Sequence, residues 1–200
     1  MPESIQQRLI KWAAHEDYDF RCPFQPNRYY IPYPHMIRKC YALSMNERGV
    51  LLDILSHLGE NEEAFPSQET IASNLGISES TVKSAVTSLE EKGFIKTVRR
   101  RGRVNRYRIH DLESNAYIAY SEAAHYFLRY YQPKYVKKSL IQSVTADVIH
   151  SEKYALHARD LREAYRSPHA SDVPYPDLVY DIVSELLVEI RMKLWGGKRR

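Results

Sequence analysis

The sequence predicts a mainly α protein with one small β-hairpin: three helices and the hairpin come first, and a helical C-terminal region follows. Three observations predict it. Between Ser44 and Gly93 the apolar residues repeat at helical spacing in runs cut by glycines. After Gly93 two short stretches alternate instead, on either side of an arginine-rich turn. From residue 111 helical spacing returns and persists almost to the C-terminus.

Residues 1–43 begin with a short amphipathic pattern (Ile5, Leu9, Trp12, Ala13) and continue as FRCPFQPNRYYIPYPHMI. Pro23, Pro26, Pro32 and Pro34 lack amide donors and steer the residue before each away from helix, so this segment is expected to run extended. Phe24, Tyr29, Tyr30 and Tyr33 are its expected anchors on a neighbouring surface.

Residues 44–110 form the second segment. Ser44 or Asn46 can cap a helix whose apolar positions are Val50, Leu51, Ile54, Leu55 and Leu58, with Gly59 as its stop. After a polar loop, Ser67 caps a short helix with Ile71, Ala72 and Leu75 inward. Gly76 supplies a tight turn, Ile77 packs inward and Ser78 caps a third helix. There Val82, Ala85, Val86 and Leu89 face the core, so Glu79, Ser80, Lys83, Ser84 and Thr87 face out; Gly93 ends it. Phe94–Val98 and Arg106–Ile109 read as paired strands, with Gly102 and Asn105 providing the turn chemistry between them.

In the third segment, residues 111–200, Tyr117, Tyr120, Ala124, Phe127 or Leu128, and Tyr131 mark one helix closed by Pro133. Val136, Leu140, Ile141, Val144 and Val148 mark another, and 156–165 a further helical stretch. After the loop SPHASDVPYP a long amphipathic helix carries Leu178, Val179, Ile182, Val183, Leu186, Leu187, Ile190 and Leu194. Its acids (Asp177, Asp181, Glu185) come early and its bases (Arg191, Lys193) late, as the helix dipole favours. Such a stripe must be buried, either on the helices of 115–165 or on its copy in a second subunit. The reading favours the copy, and with it a homodimer.

Composition narrows the function. With 44% apolar and 27% charged residues among 200, the chain can bury a core. No apolar run approaches the ~20 residues of a membrane span, and the N-terminus has no signal-peptide pattern. Two cysteines, Cys22 and Cys40, suit free thiols in a reducing cytoplasm. A zinc site from His15, Cys22, His35 and Cys40 is the alternative, but it lacks the close cysteine pair usual in structural zinc; no metal or cofactor is expected. Charge is more telling. Eight basic residues and no acid lie between Lys92 and Arg108, which leaves 21 of the chain's 29 lysines and arginines against its 25 carboxylates. Such focusing suits a polyanionic partner.

The stretch FPSQETIASNLGISESTVKSAVTSLEEKGFIKTVRRRGRVNRYRI resembles the winged helix-turn-helix family, and is similar to modules of bacterial transcription regulators and of plasmid or phage replication initiators. The resemblance implies double-stranded DNA as the partner. A helix that reads base edges needs short polar side chains near its N-terminus, which Ser78, Ser80, Thr81, Lys83, Ser84 and Thr87 supply. Arg99, Arg100, Arg101, Arg103, Asn105 and Arg106 would form the wing contact, on the backbone or in a narrow minor groove. Ser67 and Gln68, at a helix start, would meet phosphate. Glu79 fits less well, because a carboxylate there repels phosphate.

Enzymatic readings find little support. The chain has no phosphate-binding Gly-x4-Gly-Lys-Ser/Thr loop and no His-x-His pair. Most of its sixteen tyrosines read as packing residues, and His150 and His157 as surface or hydrogen-bonded positions rather than ligands. Two roles stay open: a plasmid or phage replication initiator or origin- or partition-site binder, and a transcription regulator whose helical region dimerises or senses a ligand.

Overall fold

Ser44 is the residue on which the first long helix starts. In the computed structural model, which describes residues 35–58, 62–99, 104–110, 112, 114–131, 136–166 and 175–196, a five-residue helix α1 (His35–Lys39) leads into α2 (Met45–Ser56). The Ser44 hydroxyl accepts from the Glu47 amide, and the Glu47 carboxylate accepts from the Ser44 amide at 2.6 Å, a reciprocal cap. Ser44 rather than Asn46 therefore fills the cap position. The helix closes at Ser56, with the His57 amide on the Ile54 and Leu55 carbonyls; the expected stop, Gly59, lies outside the described residues.

Helix α3 (Gln68–Leu75) starts on Ser67, whose hydroxyl accepts from the Thr70 amide at 2.9 Å. It ends on Gly76 at φ 65°, a left-handed conformation that glycine adopts without a Cβ penalty. Ser78 then caps α4 (Glu79–Glu91), accepting from the Thr81 amide, and Gly93 at φ 73° turns the chain away. Val82, Ala85, Val86 and Leu89 are buried, and their face packs against Val50, Leu51, Ile54 and Ile71 in one core.

Strands β2 (Ile95–Val98) and β3 (Arg106–Ile109) pair antiparallel, Ile95 opposite Ile109 and Val98 opposite Arg106. Phe94, expected in the strand, instead donates its amide to the Leu89 carbonyl and finishes the helix turn. A third strand, β1 (Glu63–Ala64), joins the far edge of β3, so the sheet order is β1-β3-β2. The sequence alone reads these two residues as part of a polar loop, because two residues cannot show alternation.

Residues 35–43 are a correction. They do not run extended: α1 and its exit bury Ile37, Cys40, Ala42 and Leu43, and α1 packs on α5 (Ala116–Tyr131). Tyr41 stacks on His125 at 4.5 Å, and its amide donates to the Ser121 hydroxyl. Residues 1–34, with their aromatic anchors, lie outside the described residues, as do Pro133 and the loop 167–174.

The C-terminal helices are α5, α6 (Lys138–Ile149), α7 (Glu152–Arg166) and α8 (Tyr175–Trp195). Tyr131 and Leu140, expected on the apolar faces of their helices, are exposed; the buried faces are Ile141, Thr145, Val148 and Ile149 on α6, and Tyr154, Ala158 and Leu161 on α7. The stripe of α8 packs on α5, α6 and α7 of the same chain, burying Ile182, Leu186, Ile190 and Leu194. This removes the ground for a homodimer through that helix. Helical spacing shows that a stripe must be covered, but not which helix covers it.

The helical region also grips the end of α4. The Arg162 side chain of α7 donates to the Glu91 carbonyl at 2.8 Å, where a cation suits the helix C-terminus. Asn115 donates to the Lys92 and Gly93 carbonyls at 3.1 and 3.2 Å.

Candidate nucleic-acid interface

The outward face of α4 begins at its cap. The Ser78 hydroxyl lies 2.8 Å from both the Ser80 and the Thr81 hydroxyls, so the three form one polar cluster at the helix start. Ser78, Glu79, Ser80, Lys83, Ser84 and Thr87 are exposed; Thr81 is half-buried. Ser84 donates to the Ser80 carbonyl at 3.0 Å and Thr87 to the Lys83 carbonyl at 3.0 Å. With their hydrogens spent on the helix, these two hydroxyls present lone pairs outward and act as acceptors. The six expected recognition-helix residues are thus gathered on one short helix, all but one of them open to solvent.

A groove of about 260 Å³ runs beside this face, between the start of α2 and α4. Ser44, Asn46, Thr81, Ser84 and Ser88 line it, over Glu47. Asn46, Ser88 and Ser44 are not among the site residues expected from sequence. Ser88 lies on α4 itself, while Ser44 and Asn46 reach that helix by a long-range contact, which local spacing does not signal.

Glu47 anchors the groove floor. It accepts from Lys92 at 2.6 Å and Ser88 at 2.5 Å, besides its cap bond to Ser44. Burial alone would push this carboxyl up, but the bonds from Lys92, Ser88 and Ser44 outweigh it and hold it at about 2. Lys92 also donates to the Ala42 carbonyl at 2.7 Å. The network fixes the angle of α4 against α2.

The wing is less free than its arginine count suggests. Arg99 pairs with Glu90 at 2.7 Å, and Arg106 with Glu63 at 3.4 Å while lying 5.2 Å over the Phe65 ring. Arg108 pairs with Glu63 at 3.0 Å. The absence of acids within 92–108 does not reveal these partners, because Glu47, Glu63 and Glu90 come from elsewhere in the chain. Lys83 and Lys96 have no carboxylate partner among the described residues. Arg100, Arg101 and Arg103 at the wing tip lie outside the described residues. Asn105 and Gln68 lie beside the Tyr107 hydroxyl, which burial pushes up and these side chains draw partly back. Ser67 spends its hydroxyl on the α3 cap.

Helix, left-handed glycine turn, then a capped and exposed helix is the geometry on which the family assignment turns. Residues 41–95 match the family model of a helix-turn-helix domain. This segment is a helix-turn-helix domain. The match ends at Ile95, so the β2–β3 hairpin that follows the helix-turn-helix, the winged part of the architecture, rests on the strand pairing described above. No match to a curated protein was found for the chain. A helix-turn-helix supports DNA binding; in such domains the second helix of the pair, the position that α4 holds here, is the one that reads the major groove.

The remaining sequence expectations concern metal and membrane. Of the four residues weighed for zinc, His15 and Cys22 lie outside the described residues, while Cys40 is buried and its thiol pushed up by that burial. No described helix is long and apolar enough to cross a membrane.

Proposed function

We propose that this protein binds specific sites on double-stranded DNA and acts as a replication initiator, or as an origin- or partition-site binder, of a plasmid or phage. The observation that carries the DNA-reading part is the exposed, hydroxyl-rich start of α4. Ser84 and Thr87, as acceptors, suit the amino groups of adenine N6 or cytosine N4. Lys83, Lys96 and the wing-tip arginines supply phosphate contacts, and the groove beside Ser44 and Asn46 follows the adjoining backbone. Arg106 serves chiefly to brace the wing against Glu63 and Phe65.

The replication role follows the resemblance to initiator modules. It carries no catalytic step, no metal and no cofactor, and it places the protein in the cytoplasm. Two copies on repeated half-sites belong to this reading, through an interface other than the α8 stripe, which is already covered. Mapping occupancy across the host replicon with a tagged full-length chain tests it. Clustered tandem sites at an origin or partition locus are the expected result. A single inverted repeat over a promoter would make the protein a transcription regulator instead.

A further inference from the structure

The far end of the helical region carries an aromatic face that the helix-turn-helix does not use. On α5, Tyr126, Phe127, Tyr130 and Tyr131 form two adjacent rows one turn apart. Tyr126 and Tyr130 have ring centroids 4.9 Å apart, and Phe127 and Tyr131 lie stacked at 5.1 Å. Trp195, at the end of α8, meets Phe127 edge-on at 6.3 Å. Tyr126, Tyr130 and Tyr131 are 69%, 60% and 63% exposed, and Trp195 is 39% exposed. Rings this open are not core residues. Contiguous exposed apolar surface of this kind marks an interaction site.

Cations accompany the rings. Phe127, Tyr131, Trp195 and Arg191 line a cleft of about 420 Å³, within the ~300–1,000 Å³ range of ligand sites. Arg129 lies 5.8 Å over the Tyr130 ring. Neither arginine has a carboxylate partner among the described residues. The only carboxylate in α5 is Glu122, one turn before Tyr126.

We propose that this face binds single-stranded DNA, with unpaired bases stacking on Tyr130, Tyr131 and Trp195 and the phosphates meeting Arg129 and Arg191. Exposed rings with interleaved cations are the chemistry of single-strand binding: each base offers a π-face, and the backbone offers charge. Duplex DNA cannot use the rings, because its bases are stacked on one another. A second copy of the chain fits worse. An isologous contact centred here would bring Arg129 and Arg191 toward their own copies with little acid to offset them. The proposal does not depend on base reading by α4, so the two can fail separately.

The test uses the full chain carrying Trp12→Phe, which leaves Trp195 as the one indole. It is titrated with oligo(dT) of about twenty nucleotides, longer than a single-domain site. Quenching of Trp195 fluorescence and a rise in anisotropy of labelled oligo(dT) are expected. Tyr130→Ala and Tyr131→Ala should each weaken this binding roughly five- to 150-fold, the loss of one stacked base, whereas Tyr131→Phe should retain it. Both alanine variants should bind a duplex site as the parent does, and Ser80→Ala should leave oligo(dT) binding unchanged. Absence of quenching would overturn the proposal. So would alanine variants that bind oligo(dT) like the parent, or that convert a sedimenting dimer to monomer with oligo(dT) binding intact.

Discussion

Glu47 shows how one side chain sets the site without touching the partner. Its carboxyl is held at about 2, below an ordinary value of 4.5, so its network stabilises the fold fully above pH 4.5 and loses that contribution as pH falls toward 2. The shift corresponds to no more than about 3 kcal/mol. Glu47→Gln should therefore lower the urea midpoint at pH 7, and the gap to the parent should narrow between pH 4.5 and pH 2.5. A gap that stays constant over that range would remove Glu47 from the acid response. Gly76 makes a different point. A Cβ there would meet nothing within 4 Å, so only its φ of 65° penalises a side chain. Gly76→Ala should cost about 1–2 kcal/mol in urea unfolding, and a neutral substitution would mean that the turn relaxes to another conformation.

The helices of the DNA-binding segment were legible because their signals are local. Ser44, Ser67 and Ser78 each sit one residue before a helix, and Gly76 and Gly93 follow the last turns of α3 and α4. The expected recognition residues fall on the outward face of α4 for the same reason. What was illegible depends on residues distant in sequence: the two-residue β1, the groove beside Asn46, and the acids that meet the wing. The short α1 was hidden by the proline-rich stretch before it, since Pro34 restricts the residue before it and leaves His35–Lys39 free to turn. The wing can be tested as an element. Replacing Arg99, Arg100, Arg101 and Arg103 with alanine should flatten the log–log salt dependence of duplex binding by ~0.9 for each phosphate that is no longer neutralised. Arg106→Ala should leave that slope in place and lower stability by about 1 kcal/mol, the worth of its half-exposed pair and ring contact.

Both halves of the chain meet at the C-terminal end of α4, where Arg162 and Asn115 bond the carbonyls of Glu91 and Lys92, so the helical region holds α4 from behind. Helix α8 supplies the core of that region, and Tyr154 ties it to α7 through Glu189 at 3.1 Å. A chain ending at Pro168 would bare the surfaces that α8 covers on α5, α6 and α7. It should lose helical signal and cooperative unfolding rather than persist as a folded monomer, as circular dichroism in urea would show. A truncated chain that unfolds cooperatively with full helicity in residues 116–166 would return α8 to the surface and revive the dimer expected from its stripe. The DNA-reading assignment itself is tested most directly on α4, by measuring Ser80→Ala and Ser84→Ala against the mapped site and against random duplex of equal length at one salt concentration. Each should lose roughly 1–3 kcal/mol on the specific site and little on random DNA. Equal losses on both would show that this face of α4 does not read bases.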